Sequence, residues 1–355
     1  MDFFNSPIHS WYSIYKRDLP WRNTRNPYHI WLSEIILQQT RIDQGTAYYL
    51  RFVSEFPSIS DLASASEDQV LKLWQGLGYY SRARNLHFTA RQIHENFNGV
   101  FPDDYKTIRS LKGIGDYTAA AICSISFNLE YPAVDGNVYR VFARFFGIND
   151  PIDSASGKKK FHDLATKLIT GTNPGMHNQA MMEFGALQCT PRNPDCGKCP
   201  LNKSCYAFLK NKINDLPVKK NKTIQRDRFF NYLVITDPDH TWLRKRTGKD
   251  IWTNLFEFPI VETGEKSGIE QVVEADEFRD FIRSGLPVIE HVSNWKIHLL
   301  SHQRINYRFI RIRFEGKFNL SDHLIRVNKE DIFNFAVPKL LDFYLNETGN
   351  ESLFI

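Results

Sequence analysis

The sequence lacks the features that would place the protein in a membrane or outside the cell. No apolar stretch approaches the roughly twenty residues that span a bilayer. The first residues do not run from a basic segment into an apolar one, as a secretory leader does. Internal repeats and low-complexity tracts are also missing. We therefore expect a globular protein of the reducing cytoplasm, with no membrane partner.

The sequence also has little net charge and few cysteines. The formal net charge is +5, which permits a polyanionic partner but does not establish one, because many basic proteins bind nothing of the kind. Only 5 of the 355 residues are cysteine, which disfavours a disulfide framework in a chain of this length. The length itself is typical of about two domains, each large enough to bury its own core.

The cysteines that are present are unevenly placed. Cys189, Cys196, Cys199 and Cys205 follow the spacing C-x6-C-x2-C-x5-C, whereas Cys123 lies in an apolar run and is predicted to be ordinary core. Structural zinc sites usually consist of two close pairs separated by a longer stretch, and only Cys196 and Cys199 form such a pair. One compact run suits a four-cysteine cluster better. The spacing therefore favours a 4Fe-4S cluster, with zinc and disulfides as the alternatives.

Helical periodicity dominates the first part of the chain. Up to about Cys205, apolar residues recur at spacings of three and four, which predicts one helix after another. The clearest predicted helices are 30–37, 70–77, 83–93, 118–127 and 138–146. We therefore predict an all-α region over residues 1–217.

The pattern changes after a polar and basic stretch, residues 218–227, which we interpret as an interdomain linker. Alternating apolar residues then predict strands. We expect hairpins joining 229–236 to 241–246 and 295–299 to 305–309, and helices at 278–284 and from Pro338 onward. Residues 228–355 are thus predicted to form a smaller α+β domain.

Two carboxylates occupy positions that would give them different protonation states. Glu34 lies in a helix that is apolar nearly all round, and burial there would raise its pKa and keep it protonated. Asp135 precedes a helix, where an N-terminal position would keep it ionised. Cleavage of a glycosidic bond needs one neutral and one charged carboxyl. The simpler alternatives are that Glu34 pairs with an arginine and that Asp135 is only a helix cap.

A glycine turn separates two of the predicted helices, in the segment LKGIGDYTA at residues 111–119. At Gly113 and Gly115 the backbone N–H groups can approach an anion closely, so the turn can bind a phosphate without reading base sequence. The alternative is an ordinary turn between helices.

These segments, in this order, resemble the helix-hairpin-helix DNA glycosylase superfamily and, in detail, its MutY-type adenine DNA glycosylases. The resemblance runs from Trp11 to about Leu216. Besides the glycine turn and the cysteine run, it is carried by LPWR at 19–22, SE at 33–34, LQQTR at 37–41, GLGYYSRARNL at 76–86, VDGNV at 134–138 and MEFGA at 182–186. It implies a 4Fe-4S cluster and a monomer that binds duplex DNA near the nucleoid. The implied reaction is hydrolytic removal of adenine opposite 8-oxoguanine or guanine.

The resemblance also implies roles for individual residues. Glu34 would protonate the adenine, Asp135 would stabilise the cationic sugar, and Tyr117 and Asn137 would support the transition state and orient water. The positions that would line the extruded base are Arg17, Arg22 and Gln179, and those that would contact DNA are Gln39, Thr40, Tyr79, Lys112, Gly113 and Gly115. Extruding a base costs a few kcal/mol, so side chains that fill the gap are needed. For Tyr79, the alternative is a ring packed in the core.

One position separates the chemistries within this superfamily. Relatives resembling endonuclease III carry a lysine just after the glycine turn, because only an amine forms the Schiff base that leads to strand cleavage. This chain has Tyr117 there, which predicts base excision without strand cleavage. The alternatives are an endonuclease III-like glycosylase and lyase acting on oxidised pyrimidines, and an iron-sulfur protein that binds DNA without catalysis.

The C-terminal domain resembles the MutT-like module that reads 8-oxoguanine in this family. The segment WTNLFEFP at 252–259 carries the likeness, and the implied recognition loop is Leu300, Ser301 and His302. The family usually has phenylalanine where this chain has Leu300, which cannot stack as an aromatic ring does. Ser301 and His302 retain the ability to hydrogen-bond the damaged base. The alternative is a polar hairpin tip without a recognition role.

Overall fold

The computed structural model describes residues 2–220 and 225–347. The chain forms two compact units, residues 1–65 with 85–221 and residues 66–84 with 222–355. Residues 66–84 therefore fold with the C-terminal residues, a grouping that no pattern in the sequence indicated. Residues 221–224 of the predicted linker lie outside the described residues, and the predicted domain boundaries stay a prediction.

The first unit is built from helices, as predicted. In chain order the helices up to residue 209 are α1 (Asp2–Tyr15), α2 (Pro27–Ile36), α3 (Ile42–Glu55), α4 (Ile59–Ser64), α5 (Glu67–Trp74), α6 (Ser81–Phe97), α7 (Tyr105–Ser110), α8 (Asp116–Phe127), α9 (Gly136–Phe146), α10 (Ala155–Ile169), α11 (Pro174–Leu187) and α12 (Tyr206–Leu209). Of these, α5 belongs to the second unit, and α6 begins in the second unit and ends in the first. Each of the five predicted helices is confirmed within a few residues.

Side-chain caps explain where several of these helices begin. Asn26, Asp104, Asp135, Ser154 and Asn173 each accept a hydrogen bond from a backbone N–H in the first turn of the helix that follows. Such caps satisfy donors that would otherwise lack a partner at the start of a helix. They fix the start of α2, whose last turn carries Glu34, and the start of α9, whose cap is Asp135.

The core of the first unit lies between α1, α9, α10 and α11. Phe4, Phe142, Phe161 and Phe184 are fully or almost fully buried there, one from each of these helices. Three of the clustered cysteines, Cys189, Cys199 and Cys205, pack against the same core. The cysteine loop is therefore part of this unit's packing. Cys123, on α8, is completely buried, as predicted.

The second unit contains two sheets and short helices, which confirms the predicted α+β class. Its strands are β1 (Arg226–Ile235), β2 (His240–Lys245), β3 (Phe256–Glu257), β4 (Ile260–Thr263), β5 (Ile282–Val292), β6 (Lys296–Leu299), β7 (Gln303–Leu320) and β8 (Ile325–Asn328), and its C-terminal helices are α13 (Ile269–Glu274), α14 (Asp276–Phe281) and α15 (Lys339–Glu347). One sheet has the order β4-β1-β7-β5 with β6 also on β7, and the other has the order β3-β2-β8. The β1–β7 pair is parallel and the other pairs are antiparallel.

Two predictions for this unit need correction. β1 and β2 are not a hairpin, because they meet only at a bridge between Thr236 and Thr241 and then join different sheets. The carboxylate of Asp237 accepts hydrogen bonds from the backbone N–H groups of Asp239 and His240, which closes the turn as β1 ends. The helix predicted at 278–284 ends at Phe281, because residues from 282 onward pair with β7 instead. Pairing with a long strand overrides local helical propensity.

The other predictions for this unit hold. β6 and β7 form the second expected hairpin, with Lys296 opposite Tyr307 and Leu299 opposite Arg304. A helix follows Pro338, as the position of that proline predicts. Within the described part of the chain, no helix has the length and apolar character needed to cross a bilayer.

Candidate active site

A cavity of about 340 Å³ in the first unit brings together most of the residues proposed for catalysis. Its walls come from the turn Pro20–Arg22, from α2 and α8, from the start of α9 and from α11. The sequence-predicted residues that line it are Glu34, Tyr117, Asp135, Asn137, Arg17, Arg22 and Thr40. These residues are spread over more than 100 positions of sequence, so it is the fold that makes them neighbours.

Glu34 lies on α2 among apolar neighbours and is only 9% exposed. Burial raises the pKa of Glu34 to about 7, a hydrogen bond with Tyr117 opposes that rise, and the negative charge of Asp135 adds to it. The predicted direction of the shift is confirmed. The alternative of a carboxylate paired with an arginine does not fit. Three arginines line the cavity, Arg17, Arg22 and Arg41. The first two bind Glu183, and no ion pair joins Glu34 to an arginine of the described residues.

Asp135 caps α9 with both of its carboxylate oxygens. Oδ1 accepts from the backbone N–H groups of Asn137 at 2.9 Å and Val138 at 2.8 Å, and Oδ2 accepts from the Asn137 side-chain amide at 2.7 Å. Burial nevertheless raises the pKa of Asp135, against the effect of these bonds and of Arg140. The hydrogen bonds act in the direction expected of a helix terminus, and the partial burial of the carboxyl acts against them.

The two carboxyls still differ in what they can bind. The three hydrogen bonds that Asp135 accepts all come from N–H donors, so they fit an anion that only accepts. The hydroxyl of Tyr117, which donates to Met182 Sδ at 2.9 Å, lowers the pKa of Glu34, and the charge of Asp135 raises it. Because N–H donors favour the ionised form, a proton bound between these two carboxyls favours Glu34 over Asp135.

Glu183 is a buried acidic residue of the cavity to which the sequence assigned no role. It is 1% exposed and accepts from Arg17 Nε at 2.9 Å and Nη2 at 2.6 Å, and from Arg22 Nη1 at 3.0 Å and Nη2 at 2.7 Å. Burial by itself would raise the pKa of Glu183, but the bonds from both arginines outweigh it and lower the pKa to about 2. The sequence did contain a signal for this residue, because two arginines expected at one buried site require an acidic counter-ion.

The other residues expected near the extruded base are distributed differently. Thr40 lines the cavity, while Gln39 is exposed and has a left-handed backbone with φ of +56°. The side-chain oxygen of Gln179 accepts a hydrogen bond from the Tyr12 hydroxyl at 2.9 Å. A role for Gln39 and Gln179 in binding DNA or the base stays a prediction.

The glycine turn between α7 and α8 has the backbone that its sequence requires. Gly113 has φ of +80°, and a Cβ there would lie 2.7 Å from Cβ of Asn85. Gly115 precedes α8, and its Cβ position faces open space. The ammonium group of Lys112 lies 4.3 Å from the centroid of the Phe88 ring. The turn therefore leaves the N-terminus of α8 accessible to an anion.

The four clustered cysteines are close enough to affect one another. Burial raises the pKa of Cys199 to about 12, and the charges of Cys189, Cys205 and Cys196 raise it further. Among residues 2–220 and 225–347, no three Cys, His, Asp or Glu side chains converge as they would around a single metal ion. The four thiols are nevertheless neighbours in one short loop, as their spacing in the sequence predicts.

Arg140 connects this loop to the candidate active site. On α9, its Nε donates to the carbonyl of Cys189 at 2.7 Å, and its Nη2 donates to the carbonyl of Gly185 at 2.6 Å and to Oδ1 of Asn137 at 2.8 Å. The last bond orients the amide of Asn137 so that its nitrogen faces Asp135. One buried guanidinium thus ties the first cysteine to the cap of α9.

The second unit has a cavity of its own, of about 480 Å³, lined in part by Leu300, Ser301 and His302. These residues form the tip of the β6–β7 hairpin, and the backbone N–H of Leu300 donates to the carbonyl of Gln303 at 2.8 Å. Across this cavity the Tyr79 hydroxyl is hydrogen-bonded to Ser301 Oγ. Tyr79 is 44% exposed, so it is not the core aromatic that was the alternative.

Comparison with known proteins agrees with this description. Residues 32–168 match the HhH-GPD superfamily of base excision DNA repair proteins, residues 189–205 match the iron-sulfur binding domain of endonuclease III, and residues 231–347 match the NUDIX domain. A solved thermostable thymine-DNA glycosylase is 32% identical with a TM-score of 0.55, and the match covers 58% of this chain and 95% of that one. The fold and the site therefore define a base excision DNA glycosylase, an enzyme that hydrolyses N-glycosidic bonds and carries an iron-sulfur cluster.

The particular family follows from curated relatives. Two relatives are adenine DNA glycosylases of Buchnera aphidicola, one of subspecies Acyrthosiphon pisum and one of subspecies Baizongia pistaciae. They are 37% and 40% identical to the chain. The matches cover 74% and 72% of this chain, and 76% and 73% of those proteins. The chain belongs to the adenine DNA glycosylase family, which confirms the resemblance found in the sequence.

Proposed function

We propose that this glycosylase hydrolyses the N-glycosidic bond of adenine paired with 8-oxoguanine and, more slowly, with guanine. The observation that carries the proposal is the pair Glu34 and Asp135 in one cavity. Asp135 accepts three hydrogen bonds from N–H donors that favour the anion, and Glu34 accepts none from the described residues. Glycosidic cleavage needs a proton for the leaving group and a negative charge beside the sugar cation.

Each of these requirements has a candidate group. Glu34, with a pKa of about 7, donates its proton to the adenine ring and makes it a better leaving group. Asp135 stays ionised and stabilises the positive charge that develops on the sugar. Asn137 fixes Asp135 and helps to orient the attacking water. Tyr117 supplies no amine, so the enzyme forms no Schiff base and leaves an abasic site.

The extruded adenine is bound by a cluster that consists of Arg17, Arg22 and Glu183. Adenine presents an amino donor and a ring-nitrogen acceptor on the same edge. The cluster holds two guanidinium groups on Glu183 at the wall of the same cavity. Their remaining N–H groups can donate to the ring nitrogen of adenine, whereas thymine has a ring N–H at the equivalent place.

The base opposite adenine is read by the cavity of the second unit. 8-Oxoguanine carries a hydrogen on N7, whereas guanine has an acceptor there, and a serine hydroxyl can accept from such an N–H. Ser301 is held by its hydrogen bond to Tyr79 at the edge of this cavity. We expect Ser301→Ala to reduce the preference for 8-oxoguanine over guanine, and Tyr79→Phe to have a similar but smaller effect.

Cys189, Cys196, Cys199 and Cys205 would hold a 4Fe-4S cluster, whose part in this enzyme is to cross-link the loop that Arg140 binds. The protein would act as a monomer on duplex DNA. A brown protein with visible charge-transfer absorbance and about four irons per chain is the expected result. A colourless protein with stoichiometric zinc would contradict the cluster.

Single-turnover release of adenine tests the whole proposal. Duplexes with adenine opposite 8-oxoguanine, guanine, cytosine and thymine are offered to the enzyme, together with a duplex that contains an oxidised pyrimidine. Release should be fastest opposite 8-oxoguanine and absent from the pyrimidine lesion. Borohydride should trap little enzyme on DNA. Efficient trapping, or excision of the oxidised pyrimidine alone, would favour an endonuclease III-like enzyme instead.

A further inference from the structure

A second cavity of the first unit, of about 400 Å³, has no part in the roles proposed so far. Tyr117 lines both this cavity and the candidate active site, so the two share one side chain as a wall. Asp116, the first residue of α8 after the glycine turn, also lines it. We call this space the tyrosine cavity, because Tyr105, Tyr117, Tyr131 and Tyr139 line it.

The wall of the tyrosine cavity includes a rigid aromatic surface. The rings of Tyr105 and Tyr131 are parallel, with centroids 4.3 Å apart and planes 10° from each other. Tyr131 is 37% exposed, and its carbonyl accepts a hydrogen bond from the buried side chain of Asn178. The acid in this wall, Asp116, is neutralised by Arg109 at 2.5 Å. The surface is therefore aromatic without being anionic.

Two lysines of α10, Lys158 and Lys159, complete the cavity. Both are exposed, and neither forms an ion pair or hydrogen bond with any described residue through its side chain. Their neighbour Lys160, in contrast, is paired with Asp150 at 2.6 Å. Two uncommitted ammonium groups beside stacked tyrosines match a ligand that is both anionic and aromatic or sugar-like.

We propose that the tyrosine cavity binds a nucleotide of the DNA strand that carries the target adenine, with its phosphate on Lys158 and Lys159 and its base or sugar against Tyr105 and Tyr131. Nucleic-acid grooves combine ammonium groups that follow the backbone with aromatic rings that accept bases of any sequence. The inference rests on the proposed function. A strand whose adenine enters the active site must place a neighbouring nucleotide beside it, and Tyr117 forms that boundary.

The test is equilibrium binding to a duplex whose target adenosine carries a 2′-fluorine, which blocks cleavage, opposite 8-oxoguanine. Affinity is measured over a range of salt concentrations for Lys158→Gln/Lys159→Gln and for the control Lys167→Gln. Lys167 is an exposed lysine further along the same helix. Each lysine that binds a phosphate contributes about 0.9 to the slope of log affinity against log salt. The double variant should lose about 1.8 of slope, and the control none.

The aromatic wall is tested separately with Tyr131→Leu. Loss of one stacked base should weaken binding by about fivefold or more without changing the salt slope. An unchanged affinity for this variant, together with a double lysine variant whose slope equals that of Lys167→Gln, would overturn the inference. The lysine variants are informative on their own, because both side chains are exposed and hold no other element in place.

Two further measurements separate this inference from its alternatives. Free dAMP is offered as a competitor: if it binds the wild type and not the double lysine variant, while duplex binding is equal for both, the cavity takes a free nucleotide and the strand assignment is wrong. Adenine release from the same duplex without fluorine checks the proposed function independently. A wild-type enzyme that releases no adenine would refute the function itself, whatever the salt slopes are.

Discussion

Replacing Glu34 by glutamine should stabilise the protein at alkaline pH while it abolishes catalysis. The pKa of Glu34 rises from 4.5 to about 7 on folding, mainly because the carboxyl is buried. Since one pKa unit corresponds to about 1.4 kcal/mol, ionising this group costs the folded state about 3 kcal/mol more than it costs the unfolded chain. Glutamine has nearly the same shape and does not ionise.

The sign of the pH dependence follows from the raised pKa. Below the unfolded-state value of 4.5, Glu34 is protonated in both states and folding carries no penalty. As pH rises from 4.5 to about 7 the unfolded chain ionises first, so the free energy of unfolding falls, and above about 7 the full loss is present. Relative to wild type, Glu34→Gln should therefore gain about 3 kcal/mol between pH 4 and pH 8.

Thermal unfolding measures this gain. For a domain of 150–250 residues, 1 kcal/mol shifts Tm by about 2–4 °C, so the Tm difference between variant and wild type should grow by about 6–12 °C from pH 4 to pH 8. Glu55→Gln, at an exposed glutamate of α3, is the matched control and should show no such trend. Adenine release by Glu34→Gln should fall by about 100-fold or more. A Tm difference that is the same at both pH values would refute the argument from burial.

Four other substitutions test the candidate active site, the cysteine loop and the glycine turn. Tyr117→Phe removes the hydrogen bond that lowers the pKa of Glu34, so the alkaline limb of the pH–rate profile should move to higher pH; a shift to lower pH would contradict the assignment. Arg140→Gln removes the bonds between the cysteine loop and the start of α9, and we expect about a 10- to 100-fold loss of adenine release. Full activity with normal iron content would show that the connection is unimportant. Gly113→Ala should destabilise by at least about 1–2 kcal/mol, whereas Gly115→Ala, at a negative φ facing open space, should not; equal Tm values would refute the strain.

Sequence patterns were sufficient where local chemistry decides the structure. The helices of the first unit begin at Asn26, Asp104 and Asp135 because these side chains cap them, and apolar spacing marks the faces that they bury. The cysteine spacing identified the iron-sulfur loop because four ligands within one short segment need no long-range contact. Both signals act over a few residues and can be read from the chain directly.

Long-range contacts explain what the sequence did not reveal. Residues 66–84 fold with the C-terminal unit because two of them bond residues far along the chain. The side-chain amide of Gln75 donates to Asp342 at 2.7 Å, and the Tyr80 hydroxyl donates to the carbonyl of Val337 at 3.3 Å. No local sequence pattern predicts such partners. The prediction of a β1–β2 hairpin was wrong for the same reason, because β1 pairs with β7, more than 70 residues further along the chain. Burial depth is equally non-local, which is why the cap at Asp135 has a raised pKa.

The pKa values of the carboxyls in the candidate active site depend more on their hydrogen-bond partners than on their positions. Glu34 and Glu183 are both buried at the wall of one cavity, yet their pKa values are about 7 and about 2. Burial raises the pKa of both, so the difference comes from the two guanidinium groups that bind Glu183. An arginine beside Glu34 would lower its pKa and remove its proton at neutral pH. Because Arg17 and Arg22 bind Glu183, neither forms an ion pair with Glu34, and Glu34 keeps its raised pKa.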